Sequence, residues 1–387
     1  MNNFVFNCPT KVLFGEGEST SIGAFSEELN IKRPLLITDE HLLNNGLIDI
    51  VLEGLDEANI KYLVYSDVPP DSDTDSVNRA KTFARENGCN SVIAIGGGSV
   101  IDTAKVVNMC VSRDSTLLEN QGLNILSAPL NPLIVVPTTA GTGSEVTFVA
   151  TIKDSKENKK LVYGSKFLAP DIAILDPEMI RSLPPKLTAA TGMDAITHAI
   201  EALACSITAS VLTEVMALES LRMLFEYLPR AYETPDDMEA RSQTLVASTM
   251  AGIAFTNTGV GIIHALAHAT GAKFKTHHGM TNAVFLPHGM RFNQDQTFDI
   301  YGKVARCLGF ADSKTSDEKA SCILISKFES LMSRLNIPNN LKSLGVPNMD
   351  DSQLLSWSNL VLEDPAIMFN PKYATAEDVV EIYKRAY

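Results

Sequence analysis

The feature that most constrains this chain is a change of pattern near Pro184-Pro185. Before it, short apolar runs alternate with stretches of helical spacing. The runs are Leu35-Leu36-Ile37, Val92-Ile93-Ala94-Ile95, Leu133-Ile134-Val135-Val136 and Ile172-Ala173-Ile174-Leu175, with helical spacing over Ser76 to Asn87 and Val100 to Cys110. Such alternation predicts a parallel sheet covered by helices on both faces. In sheets of that kind, ligands lie beyond the C-terminal ends of the strands. After the two prolines, long amphipathic stretches follow: Thr188 to Leu203, Thr213 to Tyr227, Met238 to Ala254 and Ser316 to Leu335. Strand signals almost vanish there, which predicts an all-helical half. The expected architecture is an α/β domain over 1–184, Rossmann-like, and an all-α domain over 185–387. A length of 387 residues suits two cores better than one.

Charge narrows the partners. A formal net charge of −14 disfavours nucleic acid, whose phosphates would be repelled. It leaves a dinucleotide open, because local backbone amides can bind phosphate within a negative protein. The six cysteines form no CxxC pair, so they read as reduced thiols. Met1 to Thr10 shows no signal-peptide pattern. No apolar run reaches the length of a membrane span. The expectation is a cytoplasmic protein with no membrane partner.

Two strand-end loops could take a nucleotide. Gly96-Gly97-Gly98-Ser99 follows one apolar run and opens a helix that carries Asp102 and Lys105. Glycines let backbone approach a bulky anion, and the amides at the helix start would face a pyrophosphate. The segment lacks the GxGxxG spacing, so a tight turn and a phosphate cradle are both open. Pro137-Thr138-Thr139-Ala140-Gly141-Thr142 follows the next run and is dense in hydroxyls. Together the two loops favour a nucleotide site. Asp39 ends the first run. Its carboxylate could bind a ribose and repel a 2′-phosphate; alone, it reads better as a helix N-cap.

Histidine placement is the sharpest chemical signal. Six of the seven histidines fall between positions 198 and 288. Asp194 and His198 stand four apart, as do His264 and His268, and His277-His278 follow. On a helix, that spacing puts both members of a pair on one face. These segments could supply one carboxylate and three imidazoles to a metal. Mixed oxygen and nitrogen ligation suits Fe(II), Zn(II) or Mn(II). The lack of thiolates argues against a closed structural zinc site.

Over nearly its whole length the chain resembles the iron-containing (group III) alcohol dehydrogenases. The segments that carry the likeness are Phe14-Gly15-Glu16-Gly17, Gly96-Gly97-Gly98-Ser99 with Asp102 and Lys105, and Pro137 to Thr142. With them go Gly192-Met193-Asp194 with His198, Gly261 to His268, and His278-Gly279-Met280-Thr281-Asn282-Ala283. The resemblance implies a dinucleotide domain, a helical domain and a cleft between them. It implies metal ligation by Asp194, His198, His264 and His278, with Fe(II) or Zn(II) as the ion. It places His268 beside nicotinamide and substrate, and Phe255 near the substrate. It assigns cofactor contacts to Asp39, Gly96, Gly97, Gly98, Ser99, Asp102, Thr138, Thr139, Thr142, Thr147 and Lys160. The acid at position 39 then favours NAD over NADP. A homodimer or larger homo-oligomer is implied as well.

Two stretches depart from the family pattern: Pro70-Asp71-Ser72-Asp73, where acids would sit near phosphates, and Ser210-Val211-Leu212-Thr213-Glu214. The activity implied is metal-assisted, NAD(H)-linked interconversion of a small alcohol and its aldehyde or ketone. Two other readings compete. A dehydroquinate-synthase-like lyase would need basic residues for an acidic phosphorylated substrate, and Met250 to Gly271 has no Lys or Arg. A metal-dependent hydrolase would leave both strand-end loops idle.

Overall fold

The computed structural model describes residues 3–157, 159–205 and 207–387. The chain divides into two compact units, Asn7–Leu183 and Pro184–Tyr387, the second joined by the N-terminal residues up to Phe6.

In the first unit six strands form one parallel sheet: β1 (Lys11–Phe14), β2 (Pro34–Ile37), β3 (Leu63–Tyr65), β4 (Ser91–Gly96), β6 (Leu133–Pro137) and β9 (Ile172–Leu175). Their order is β1-β9-β6-β4-β2-β3. β2, β4, β6 and β9 are buried at every position. That is why they read as unbroken apolar runs rather than as alternation. Successive residues feed opposite faces. Leu35, Ile37, Val92, Ala94 and Val135 join one core, while Leu36, Ile93, Ile95, Ile134 and Val136 join another. The first face is covered by α4 (Thr74–Glu86) and α5 (Gly98–Arg113), the second by α1 (Ile22–Glu28) and α3 (Asp49–Glu57). The short α2 (Glu40–Asn44) follows β2.

A second sheet of three strands was not expected from the sequence. It contains β5 (Gly122–Leu123), β7 (Val149–Lys153) and β8 (Lys160–Gly164), in the order β5-β8-β7. β7 alternates half-buried and buried residues, so it lacks the solid apolar run that marked the large sheet.

The second unit is helical: α6 (Pro185–Ala204), α7 (Val211–Glu233), α8 (Met238–Thr258), α9 (Ile262–Phe274), α10 (His278–Cys307), α11 (Asp317–Arg334), α12 (Asp351–Glu363) and α13 (Ala376–Ala386). α10 is kinked at Thr297, whose φ of −138° is not helical. α6 starts with Pro185 in its first turn, where a missing N–H costs nothing. From Thr188 to Ala204 it is buried on all sides. A helix apolar around its whole circumference belongs at the centre of a bundle, and α7, α8 and α10 all pack on it. Among the described residues, no single helix is long and apolar enough to cross a membrane.

Candidate metal and cofactor sites

The donor cluster forms where α6, α9 and α10 meet. Asp194 and His198 lie one turn apart on α6, and His264 lies in the first turn of α9. One donor atom from each falls within 4.8 Å of the other two, and all three residues are buried. His278 opens α10. Gly279 allows its approach: a Cβ there would stand 2.3 Å from the Ala190 carbonyl oxygen of α6. His278 Nε2 thereby comes within 3.5 Å of Asp194 Oδ1, with 40% of the His278 side chain left exposed.

The chemistry of this donor set fits a divalent cation. Asn282 Nδ2 donates to Asp194 Oδ1 at 2.7 Å and also lies 3.1 Å from both His264 Nε2 and His278 Nε2. Asp194 Oδ1 and two imidazole nitrogens converge on an amide that has two hydrogens, and each ring nitrogen is an acceptor in the tautomer protonated at Nδ1. In that tautomer, lone pairs outnumber protons here, as a cation requires. Burial holds the His264 imidazole down to about 4. Burial also pushes the Asp194 carboxyl up, but His198, His278, His264 and the Asn282 amide outweigh it and bring it down to about 2. A charged carboxylate beside neutral imidazoles is the protonation state that metal ligands need.

Two carboxylates missed in the sequence hold the histidines. Glu201 Oε2 lies 2.5 Å from His264 Nδ1, and Glu201 Oε1 accepts from the Ile263 N–H at 2.8 Å. With Nδ1–H donating to Glu201, Nε2 keeps its lone pair for a metal. The signal was present: Glu201 continues the spacing of Asp194 and His198 along one face of α6. Asp364 Oδ2 lies 2.8 Å from His268 Nδ1, while its Oδ1 accepts from the Ala366 N–H. Ninety-six residues separate that His–Asp pair, and next to Pro365 the acid reads only as a cap. His268 stacks on the His278 ring at 5.3 Å between centroids. Phe255 lies flat on His198 at 4.1 Å, so the aromatic expected near the substrate is against a proposed metal ligand.

The strand-end loops gather within the α/β unit. β2, β4 and β6 are neighbours in a parallel sheet, so Asp39, the glycine turn and the threonine loop share its C-terminal edge. Connections leave β2 toward β3 and β4 toward β6, on opposite sides, which makes this the switch point where such sheets take ligands. Gly97 precedes α5 in extended conformation with no side-chain cap, leaving the helix start available to an anion. A Cβ on Gly98 would stand 2.7 Å from Thr142 Cγ2, and one on Gly97 would stand 3.2 Å from Thr139 Cγ2. The glycines thus let the two loops close on each other.

Other expected contacts have protein partners. Asp39 Oδ1 accepts from the Leu42 N–H at 2.9 Å and caps α2. Ser99 Oγ donates to the Pro70 carbonyl. Thr147 is buried and accepts from Lys105, and the Asp102 carboxylate is taken by Ser144 and Thr151. The acids of the 70–73 stretch are also placed. Asp71 pairs with Lys160, and Asp73 caps α4. Ser210 and Thr213 form the capping box that starts α7.

The profile described as iron-containing alcohol dehydrogenase matches residues 9–177, and that of the Fe-containing alcohol dehydrogenase family, C-terminal, matches 188–387. The chain belongs to the iron-containing alcohol dehydrogenase family. It is 33% identical over 386 residues to the NAD-dependent methanol dehydrogenase of Bacillus methanolicus, covering all of both chains. It is 32% identical to the lactaldehyde reductase of Escherichia coli K12, with 97% of each covered. The solved alcohol dehydrogenase from Oenococcus oeni superposes with a TM-score of 0.95 at 30% identity, over 100% of both chains. The parallel sheet with its helices and the all-helical second unit are those of this family, as the resemblance implied.

Proposed function

We propose that this protein is a metal-dependent, NAD(H)-linked oxidoreductase that interconverts a small alcohol and its aldehyde or ketone. The observation that carries this reading is the buried Asp194–His198–His264 cluster in a chain of this family. The relatives named for methanol and lactaldehyde act on short molecules.

Asp194, His198, His264 and His278 would hold the metal, with Fe(II) as the ion. When bound, the metal supplies Lewis acidity at the substrate oxygen and the nicotinamide supplies the hydride exchange. His268, its Nδ1 fixed on Asp364, gives or takes a proton at Nε2. The Thr138–Thr142 loop orients the nicotinamide, the uncapped start of α5 binds the pyrophosphate, and Asp39 selects NAD through the ribose. Phe255 keeps water from one side of His198. On the same reading the protein is a cytoplasmic homodimer or larger homo-oligomer.

The test is NADH oxidation with a panel of short aldehydes, on enzyme stripped of metal and reloaded with Fe(II) or Zn(II), with NADPH in parallel. Turnover restored by metal and faster with NADH is expected. Turnover equal in the stripped enzyme would remove the metal from the chemistry. A preference for NADPH would overturn the role given to Asp39.

A further inference from the structure

Helix α5 carries two charged groups one turn apart, Asp102 half-buried and Lys105 buried, and both close on the same segment. Lys105 is 0% exposed. Its Nζ lies 2.7 Å from the Thr147 carbonyl oxygen, 3.0 Å from that of Val149, 2.8 Å from Thr147 Oγ1 and 3.3 Å from Ser144 Oγ. Asp102 accepts from Ser144 Oγ at 2.6 Å, from the Thr151 N–H at 2.8 Å and from Thr151 Oγ1 at 3.3 Å. One residue satisfies inward-turned carbonyls and the other satisfies an amide and hydroxyls. Between them they pin residues 144–151, the stretch joining the threonine loop to β7.

A buried charge is a poor way to gain stability, since an apolar side chain of similar size often does as well. What this pair supplies is a single conformation. Two main-chain carbonyls point at one ammonium, that of Val149 sharing it with the Thr147 hydroxyl, and no apolar residue could satisfy the carbonyl of Thr147. The loop so fixed is the one that meets the glycine turn through Thr139 and Thr142.

We propose that Lys105 and Asp102 form a brace that locks the 138–149 loop in its cofactor-binding shape. They act as positioning residues for hydride transfer rather than as phosphate contacts. The proposal rests on the NAD(H) reading above. Burial holds the Lys105 ammonium down to about 8, against the opposing pull of Asp102 and Glu145. At neutral pH it therefore still carries the proton that the carbonyls bind.

The experiment compares wild type, Lys105→Met and Asp102→Asn as metal-loaded enzymes. NADH affinity is read by fluorescence titration, kcat with a short aldehyde at saturating NADH, metal per chain by elemental analysis, and Tm by calorimetry. Leaving the buried Thr147 carbonyl without its ammonium donor, and the half-buried Val149 carbonyl with only the Thr147 hydroxyl, should weaken NADH binding in Lys105→Met by about tenfold. The variant's kcat should also fall, because a displaced nicotinamide reacts more slowly, while metal per chain stays at the wild-type level. Asp102→Asn should show the same pattern more weakly, and it carries the test if Lys105→Met does not fold. A lower Tm with NADH affinity and kcat within twofold of wild type in both variants would make the pair purely structural and overturn the brace. Wild type that binds no NADH would instead sink the cofactor reading, and the brace with it.

Discussion

At the scale of single residues, the His264–Glu201 contact decides how well a metal is held. Imidazole binds a metal through one nitrogen, and the other must carry the proton. Glu201 settles that choice by sitting 2.5 Å from Nδ1 in a buried site. Burial pushes the Glu201 carboxyl up to about 7, against the pull of the Gly261 and Ile263 amides and His198; Glu201→Gln keeps the shape but removes the carboxylate form, the stronger acceptor for Nδ1–H. Metal affinity should fall by about 10–100-fold, the usual effect of removing such an outer partner. Competition against a chelator of known affinity measures it, and an unchanged affinity would show that Glu201 does not orient the ligand. His264→Ala, by contrast, should lose metal and turnover together. The clustering of Asp194, His198 and His264 was legible, because helical spacing repeats in the sequence at Asp194/His198 and His264/His268. Their partners were harder to see. Glu201 was overlooked on the same helical face. Asp364 comes from a different part of the chain, and no local pattern ties it to His268.

At the scale of elements, the turn between β4 and α5 is shaped by its neighbour loop as much as by any ligand. The space beside Gly98 is filled by Thr142, whose Cγ2 lies 2.7 Å from where a Cβ would stand. Gly98→Ala should therefore cost about 1–3 kcal/mol, as overpacked sites do. Thr142→Ser removes that methyl, so the double variant should recover part of the loss. Thermal unfolding of the two single variants and the double gives the coupling. Strict additivity would mean that the two loops do not press on each other. Elements were legible where burial leaves a simple pattern. β2, β4, β6 and β9 are buried on both faces and show as apolar runs. β1 escaped because it is an edge strand whose residues are mostly exposed. β3 is three half-buried residues long, too short for any periodicity. The small sheet is held by the Asp102 and Lys105 contacts and by β7–β8 pairing, which no sequence pattern announces.

At the scale of the whole molecule, the two ligands proposed for this chain belong to different units. Every proposed metal donor lies in Pro184–Tyr387, and the glycine turn, the threonine loop and Asp39 lie in Asn7–Leu183. Ligand binding stabilises what it touches by RT ln(1 + [L]/Kd), about 2.7 kcal/mol at a hundredfold excess over Kd. Where local opening controls exchange, that slows amide exchange by about a hundredfold. The two ligands should therefore leave different footprints. Removing metal should speed exchange at the amides of 194–201 in α6, 262–268 in α9 and 278–283 in α10. Adding NADH to metal-loaded protein should slow it at 97–103 and 138–149. Hydrogen exchange read by mass spectrometry resolves these segments. NADH that leaves 97–103 and 138–149 unchanged would show that the β4–α5 turn is shaped by packing against Thr139 and Thr142 alone. Chelation that leaves the three helix segments unchanged would mean that the histidines are held by Glu201, Asp364 and Asn282 without help from an ion.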